Sequence, residues 1–181
     1  MFARPDPTRC WPIGSGSCRH LVDGGASVES VGVGQSAELR RAVETDAEAA
    51  AEVFLRARAE MRYLPRLHTD DETRAFFRDV VMREQEVWVA DVAGRVVGFI
   101  ALSDAMIEHL YVAPGEQGRG VGRTLLDHAK SRRPGGLELW VFRDNAGARR
   151  FYERHGLVLL YETNGSGNEE KLPDARYAWR L

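Results

Sequence analysis

The sequence predicts one α/β (α+β) domain built on a single mixed, mostly antiparallel sheet with helices on its faces. From Ala37 onward, strand-like apolar segments and segments of helical periodicity follow in the order β-α-α-β-β-β-α-β-α-β-β. Three strands in succession exclude the regular alternation of a doubly wound fold. The length of 181 residues suits one ordinary domain and is too short for two.

Residues 1–36 are expected to lie outside this domain. They are rich in Gly and Ser and show no sustained hydrophobic period. Such a composition cannot bury enough apolar surface to offset chain entropy, so we predict a disordered extension followed by a domain over 37–181. Cys10, Cys18 and His20 are loosely spaced in this segment, which does not favour a metal site.

Charge and composition exclude several classes of function. The net charge of −2 gives no bulk attraction to nucleic acid or to an anionic membrane, and no basic stripe carries interleaved aromatic residues. No apolar run approaches the roughly 20 residues that span a bilayer, and the N-terminus lacks the apolar core of a secretory signal. A cytoplasmic protein is expected.

The first half of the domain is predicted to hold a short strand and two helices. ELRRAV is the strand candidate. Thr45 and Glu48 have capping-box spacing, and apolar residues then recur at helical intervals as far as Met61. Thr69 and Glu72 form a second capping box before the second helix.

The second half is predicted to complete the sheet. EVWVADV and RVVGFIALS flank an Ala93-Gly94 turn, which indicates a hairpin, and MIEHLYVAP is the next strand. LELWVF is apolar at nearly every position, as in a sheet centre covered on both faces. VGRTLLDHAK precedes it as a helix, and another helix begins at Asn145 and stops at Gly156. LVLLYE and ARYAWRL are the closing strands.

The turn PGEQGRGVGRTLL, residues 114–126, predicts a phosphate site. The chain has no Gly-Lys pair, which excludes a P-loop, and Arg123 replaces the third glycine of a dinucleotide fingerprint. A Q-x-x-G-x-G turn remains, whose amides and following helix N-terminus suit a pyrophosphate. Arg119 and Arg123 would add positive charge. The alternative is a tight connection that merely requires small residues.

Two motifs in this order resemble the GNAT superfamily of acetyl-CoA-dependent N-acetyltransferases. HLYVAPGEQGRGVGRTLLDHAK resembles the family's Q/R-x-x-G-x-G/A turn, and LELWVFRDNAGARRFYERHGL its N-x-x-A-x-x-F-Y-x-x-x-G pattern. The resemblance covers most of residues 38–181. It implies acetyl-CoA as co-substrate without a metal, and a sheet in which strand Ile107–Ala113 splays away from strand Leu137–Phe142.

The resemblance also implies how the cofactor is bound. Main-chain groups of the splayed strand would hold the pantetheine and thioester, and the amides of the turn would hold the pyrophosphate. Asn145 would cap its helix and contact the cofactor. The implied cofactor-binding residues are Leu110, Tyr111, Val112, Gln117, Gly118, Arg119, Gly120, Val121, Gly122, Arg123 and Asn145.

Three residues are candidates for catalysis. Tyr152 matches the family's general acid, the alternative being an ordinary core aromatic. Two neighbouring residues are candidates for the base. Side chains alternate between the two faces of a strand, so Glu108 would share one face with Met106, Leu110 and Val112. His109 would share the opposite face with Ile107 and Tyr111. Glu108 is preferred because apolar neighbours raise a carboxyl pKa, and His109 is the alternative. The alternative for either residue is a structural role, in a salt bridge at the end of the strand.

The acceptor side is implied to lie between 61–68 and 163–173. Tyr63, His68, Glu169 and Glu170 either line a mouth for a cationic amine or are ordinary loop residues. The predicted function is direct transfer of an acetyl group to a primary amine of a small molecule. A protein or peptide acceptor, or a CoA-binding regulatory module without catalysis, is the alternative. A homodimer is compatible with the fold.

Overall fold

The computed structural model describes residues 37–180, which form one sheet of seven strands in the order β1-β2-β3-β4-β5-β7-β6. Neighbouring strands are antiparallel except β4 and β5, which are parallel. The predicted mixed, mostly antiparallel sheet is confirmed. Residues 1–36, including Cys10, Cys18 and His20, lie outside the described residues. The strands are β1 (Glu38–Arg41), β2 (Glu86–Val92), β3 (Arg95–Ser103), β4 (Met106–Val112), β5 (Leu137–Phe142), β6 (Val158–Glu162) and β7 (Asp174–Trp179).

The helices follow the predicted order, with one subdivision. The predicted second helix is interrupted by a π-helical turn, so that it comprises α2, the turn and α3. The helices are α1 (Ala47–Ala59), α2 (Asp70–Phe76), the π-helical turn (Phe77–Val81), α3 (Met82–Glu84), α4 (Val121–Arg132) and α5 (Ala146–Arg154).

The cap predicted at Thr45 is wrong, because Thr45 lies inside a 3₁₀ turn and α1 begins after Asp46 without a side-chain cap. A 3₁₀ turn over Glu44–Asp46 leads into α1, and the Asp46 carboxylate accepts the Val43 N–H at 2.8 Å. The same carboxylate accepts two hydrogen bonds from the Arg40 guanidinium, at 2.7 and 2.9 Å. Charge-assisted hydrogen bonds of Asp46 thus hold the segment before α1, and the predicted Thr45–Glu48 capping box does not form.

Two other local predictions, the capping box at Thr69 and the hairpin turn at Ala93-Gly94, are confirmed. Thr69 Oγ1 accepts the Glu72 N–H at 3.2 Å, and Glu72 Oε2 accepts the Thr69 N–H at 2.8 Å, which completes the capping box of α2. The β2–β3 hairpin turns through Ala93 and Gly94, with φ of 53° and 79°. Two positive φ values identify the primed type of turn that matches strand twist.

Two apolar clusters place helices on both faces of the sheet. One cluster joins α4 and α5, through Leu125, Leu126 and Ala148, to the central strands. The other joins α1 and the π-helical turn, through Phe54 and Phe77, to the opposite face. The sheet therefore lies between two helical layers.

The central strands separate after only two residue pairs. Met106 pairs with Glu138 and Ile107 with Leu139, and the ladder between β4 and β5 ends there. On the other side of β4, Ala101 pairs with His109 and Leu102 with Ile107, so Glu108 is the extra residue of a β-bulge. Bulges bend a strand, and this one lies where β4 diverges from β5. The predicted splay is therefore confirmed.

Candidate active site

On the β4 side, the gap between β4 and β5 is lined by main-chain groups of two residues. The Ala113 N–H donates to the Val97 carbonyl of β3 at 2.8 Å. Because hydrogen-bonded pairs alternate along an antiparallel ladder, the main-chain groups of Tyr111 also face β3. Those of Leu110 and Val112 then face the gap. The expectation that Tyr111 contributes main-chain groups to the gap is not met.

A glycine-rich turn closes one end of this gap. Gly115, Gly118 and Gly120 have φ of 88°, 76° and 90°, a region that side-chain-bearing residues rarely adopt. Gly120 immediately precedes α4, so the turn presents the helix N-terminus and its unpaired N–H groups. The Gln117 side-chain amide donates to the Val112 carbonyl at 3.2 Å and connects the turn to the splayed strand.

A cavity of about 390 Å³ lies between the turn, β4 and α5. Seven of the residues predicted to bind the cofactor line it, and five further lining residues come from α5 and the residue after it. The predicted lining residues are Leu110, Val112, Gln117, Gly118, Gly120, Gly122 and Arg123. The additional ones are Gly147, Arg150, Phe151, Arg154 and His155.

The α5 residues were missed by the sequence analysis, although a signal was present. They follow the spacing i, i+3, i+4, i+7, i+8, which places them on one helix face. The motif drew attention to Tyr152 instead, which lies on a different face of the same helix. A helical projection of residues 146–155 would have separated the two faces.

Four predicted binding residues do not line the cavity with their side chains. The Tyr111 and Val121 side chains are buried in the two apolar clusters. Arg119 forms an ion pair with Glu116 at 3.2 Å. Asn145 is buried and caps α5, its side-chain oxygen accepting the Ala148 N–H at 3.0 Å, as the predicted helix start requires.

Tyr152 combines complete burial with a free hydroxyl. Its relative exposure is 0%, and its hydroxyl forms no hydrogen bond with any residue of 37–180. Burial raises the pKa of this phenol well above its ordinary value, with nearby Tyr111 adding to the effect. The group therefore stays protonated over the physiological range. A buried hydroxyl without a partner is costly unless a ligand supplies one.

The two candidate bases occupy different environments. Glu108 is half-buried at the bulge. The predicted alternation along β4 is wrong because of this bulge: Ile107 packs in the same cluster as Leu110 and Val112 rather than with Tyr111. Strict alternation therefore does not hold at Glu108, and it does not show that Leu110 and Val112 are the apolar neighbours of this carboxyl group.

His109 lies inside an aromatic cluster. It is 1% exposed, and its ring centroid lies 5.8 Å from that of Phe77 and 6.0 Å from that of Phe54. Burial, and secondarily the charge of Arg58, lower the pKa of this imidazole to about 3. It is neutral at physiological pH and a weak proton acceptor.

The predicted acceptor side contains a second cavity of about 420 Å³. It is formed by α1 and the segment before α2, and Met61 and His68 are among its lining residues. His68 contacts Glu169 at 3.1 Å, and Arg58 forms an ion pair with Glu170 at 2.9 Å. His68 of the first predicted acceptor segment thus contacts Glu169 of the second, and Arg58 of α1 binds the adjacent Glu170.

Comparison with known proteins agrees with this arrangement. Residues 83–157 match the family model described as an acetyltransferase (GNAT) domain. An uncharacterised N-acetyltransferase of Archaeoglobus fulgidus is 30% identical in an alignment 148 residues long, which covers 73% of this chain and 99% of that protein. The chain belongs to the GNAT family, and it is an enzyme of the N-acetyltransferase class.

The relatives whose names give a substrate differ in the kind of substrate that they acetylate. The peptidyl-lysine N-acetyltransferase YiaC of Escherichia coli is 29% identical, over 46% of this chain and 57% of that protein. Streptothricin acetyltransferase of Streptomyces lavendulae is 36% identical, over 44% of this chain and 50% of that protein. The chain spans about half the length of both.

Solved structures support the same fold. The apo form of YjaB from Escherichia coli has a TM-score of 0.66 at 26% identity, covering 79% of this chain and 97% of that one. YncA of Salmonella typhimurium, solved with acetyl-CoA, has a TM-score of 0.61 at 21% identity, covering 80% and 94%. The second likeness shows the fold alone.

Residues 37–180 contain neither a candidate metal centre nor a helix suited to cross a membrane. No group of three or more His, Cys, Asp or Glu side chains there is arranged to hold a metal ion. In the same part of the chain, helices with the length and apolar character of a membrane crossing are absent.

Proposed function

We propose that this enzyme transfers the acetyl group of acetyl-CoA directly to a primary amine of a small molecule. The observation that carries the proposal is the position of Tyr152, whose buried, partnerless hydroxyl belongs to the helix beside the splayed strands. A thioester bound in the gap would give this hydroxyl the partner it lacks.

Binding of acetyl-CoA would use three parts of the site. The pantetheine would pair with the gap-facing main-chain groups of Leu110 and Val112, like an additional strand. The pyrophosphate would lie against the turn from Gln117 to Gly122 and the N-terminus of α4. Gln117 would release the Val112 carbonyl as the pantetheine takes its place.

Acetyl transfer would then follow from the chemistry of these groups. The neutral amine attacks the thioester carbon, and the Leu110 N–H stabilises the oxyanion that forms. As the carbon–sulfur bond breaks, the Tyr152 phenol donates its proton to the departing sulfur. The proton lost by the amine goes to Glu108, which we prefer over His109 because the imidazole is buried and has a pKa of about 3.

A peptide lysine is the second candidate acceptor. The likeness to YiaC and YjaB, both named as peptidyl-lysine N-acetyltransferases, supports it. The likeness to streptothricin acetyltransferase supports a small molecule instead. The cavity between α1 and α2 is the proposed acceptor site in either case.

Thiol release from acetyl-CoA across a panel of acceptors tests the proposal. The panel includes polyamines, aminoglycoside-like amines, amino acids and lysine-containing peptides, each run with and without enzyme. Turnover with small amines and little with peptides supports the proposal, and the reverse supports the second candidate. Acetyl-CoA binding without turnover on any amine would favour a regulatory module, and the absence of both binding and turnover would reject the proposal.

A further inference from the structure

The cavity beside the glycine turn is unusually rich in arginine. Arg123, Arg150 and Arg154 line it, and none of its lining residues within the described chain is acidic. Arg123 shares its charge with Asp127, at 3.3 Å. Arg150 and Arg154 are exposed, and neither forms an ion pair with a carboxylate of residues 37–180. Two uncompensated cations therefore face this cavity.

A third arginine of α5, Arg149, lies on another face of the helix and does form an ion pair. Arg149 binds Glu162 at 2.8 Å and donates to the Tyr177 hydroxyl at 3.0 Å. Its charge is compensated on the β6–β7 side of the helix. Arg150 and Arg154, one turn apart on the cavity side, have no such partners.

Acetyl-CoA carries more negative charge than the glycine turn and the N-terminus of α4 can neutralise. Its pyrophosphate carries two negative charges, which suit the turn amides, the α4 N-terminus and Arg123. Its 3′-phosphate is a monoester carrying about 1.5 to 2 further negative charges at neutral pH. Guanidinium groups bind such phosphates through paired hydrogen bonds.

The glycine turn and the cavity face of α5 lie on opposite sides of this cavity. A Cβ atom on Gly122, at the start of α4, would lie 3.5 Å from the Phe151 ring, so the turn and α5 face each other across one cavity. Phe151 and His155, whose ring centroids are 4.4 Å apart, lie beside the two arginines on that face. A flat base stacked there would hold its ribose phosphate near Arg150 and Arg154.

Building on the proposed use of acetyl-CoA, we propose that Arg150 and Arg154 bind the 3′-phosphate and make the enzyme selective for CoA over dephospho-CoA. Neither residue contacts the reacting atoms. They determine cofactor selection at the outer end of the site.

Calorimetric titration with acetyl-CoA and with acetyl-dephospho-CoA tests this assignment. The proteins are the unchanged chain, Arg150→Gln, Arg154→Gln and, as a charge-matched control, Arg83→Gln on α3, whose exposed side chain lies outside the cavity. We expect the unchanged chain to prefer acetyl-CoA by about 10- to 100-fold. Each cavity substitution should weaken acetyl-CoA binding by roughly tenfold and leave acetyl-dephospho-CoA unaffected, and Arg83→Gln should change neither.

Three outcomes would overturn the assignment. Equal affinity of the unchanged chain for both ligands would show that the 3′-phosphate is not recognised. An equal loss of both ligands in Arg150→Gln and Arg154→Gln would assign the arginines to the pyrophosphate. Binding of neither ligand by the unchanged chain would reject the acetyl-CoA proposal itself, and this assignment with it.

Discussion

Arg58 of α1 and Glu170 of the β6–β7 loop form an ion pair at 2.9 Å across 112 residues of sequence. Their side chains are only 14% and 4% exposed. The Arg58 guanidinium also lies 5.3 Å from the centre of the Phe54 ring. This pair holds the β6–β7 loop against α1, on the predicted acceptor side of the protein.

Removing one partner of this pair should be strongly destabilising. In Glu170→Ala the Arg58 charge stays buried without its carboxylate, and we expect a loss of about 3 kcal/mol in the free energy of unfolding. Glu169→Ala is the matched control, because its pair with His68 is more exposed and should contribute less than about 1 kcal/mol. Urea unfolding of both variants measures the difference, and equal losses would contradict the structural role of Arg58–Glu170.

A second ion cluster should make stability depend on pH. The Glu86 carboxylate accepts hydrogen bonds from Trp88 at 3.0 Å, Arg132 at 2.9 Å and Arg133 at 2.8 Å. Burial by itself would raise the pKa of Glu86, but hydrogen bonds from Trp88, Arg133 and Arg132 outweigh it and lower that pKa to about 2. The folded-state pKa therefore lies below the unfolded value of about 4.3.

Because the pKa is lowered by folding, this carboxylate stabilises the fold above about pH 5, and the contribution is lost as the pH falls toward 2. Glu86→Gln should cost about 1–2 kcal/mol at pH 7, allowing for solvent screening of the partly exposed arginines, and progressively less below pH 4. Unfolding at pH 7, 5 and 3 measures this, with the exposed Glu84→Gln as control. A loss independent of pH would show that Glu86 acts through packing rather than charge.

The glycine turn should require glycine for its backbone conformation. Gly120 has φ of 90°, and a Cβ atom there would meet nothing within 4 Å, so the strain of Gly120→Ala is confined to the backbone. That strain is about 1–2 kcal/mol and should weaken acetyl-CoA binding by roughly tenfold by displacing the turn amides. Gly135→Ala, also in open space but without a positive φ, is the control. Unchanged affinity in Gly120→Ala would exclude a role for the turn geometry in binding.

The order of elements was predictable because each has a local cause. The hairpin at Ala93-Gly94, the capping box at Thr69 and the α5 cap at Asn145 depend on residues within a few positions of one another. The mixed sheet followed from three consecutive strands. In each case the hydrophobic periodicity or the turn residues are enough to predict the element, without knowledge of contacts distant in sequence.

The details of the site were less predictable because they depend on contacts distant in sequence. The bulge at Glu108 results from the register between β4 and β3, and it broke the strand alternation on which the choice of base was argued. The aromatic surroundings of His109 come from α1, the helical region after it and β3. Neither feature leaves a signal in the residues around position 108.

Substitution of Glu108 and of its neighbour His109 tests which of the two residues is the general base. If Glu108 accepts the proton of the amine, Glu108→Gln should lower kcat by at least about 100-fold. His109→Leu keeps a side chain of similar size in the aromatic cluster and should leave kcat and the acid side of its pH profile near those of the unchanged enzyme. Steady-state rates from pH 6 to 9 measure both variants. Loss of activity in His109→Leu with a stable fold would transfer the role to His109.

The low pKa of His109 should also appear in the stability of the fold. Its folded-state pKa of about 3 lies below the unfolded value near 6.5, so the unfolded chain binds the extra proton between these values. Stability should therefore fall as the pH drops from about 6.5 toward 3, and His109→Leu should remove this part of the decline. Thermal unfolding at pH 7 and 5 compares the two proteins, and an identical pH dependence would contradict the neutral, buried imidazole.

Single-turnover acetyl transfer by Tyr152→Phe tests the central claim most directly. The substitution removes only a hydroxyl that has no partner within residues 37–180, so the melting temperature of the unliganded protein should be preserved. If the phenol protonates the departing sulfur, the rate of the chemical step should fall by at least about tenfold with a competent acceptor. An unchanged rate would show that Tyr152 is a core aromatic and that the leaving thiolate obtains its proton elsewhere.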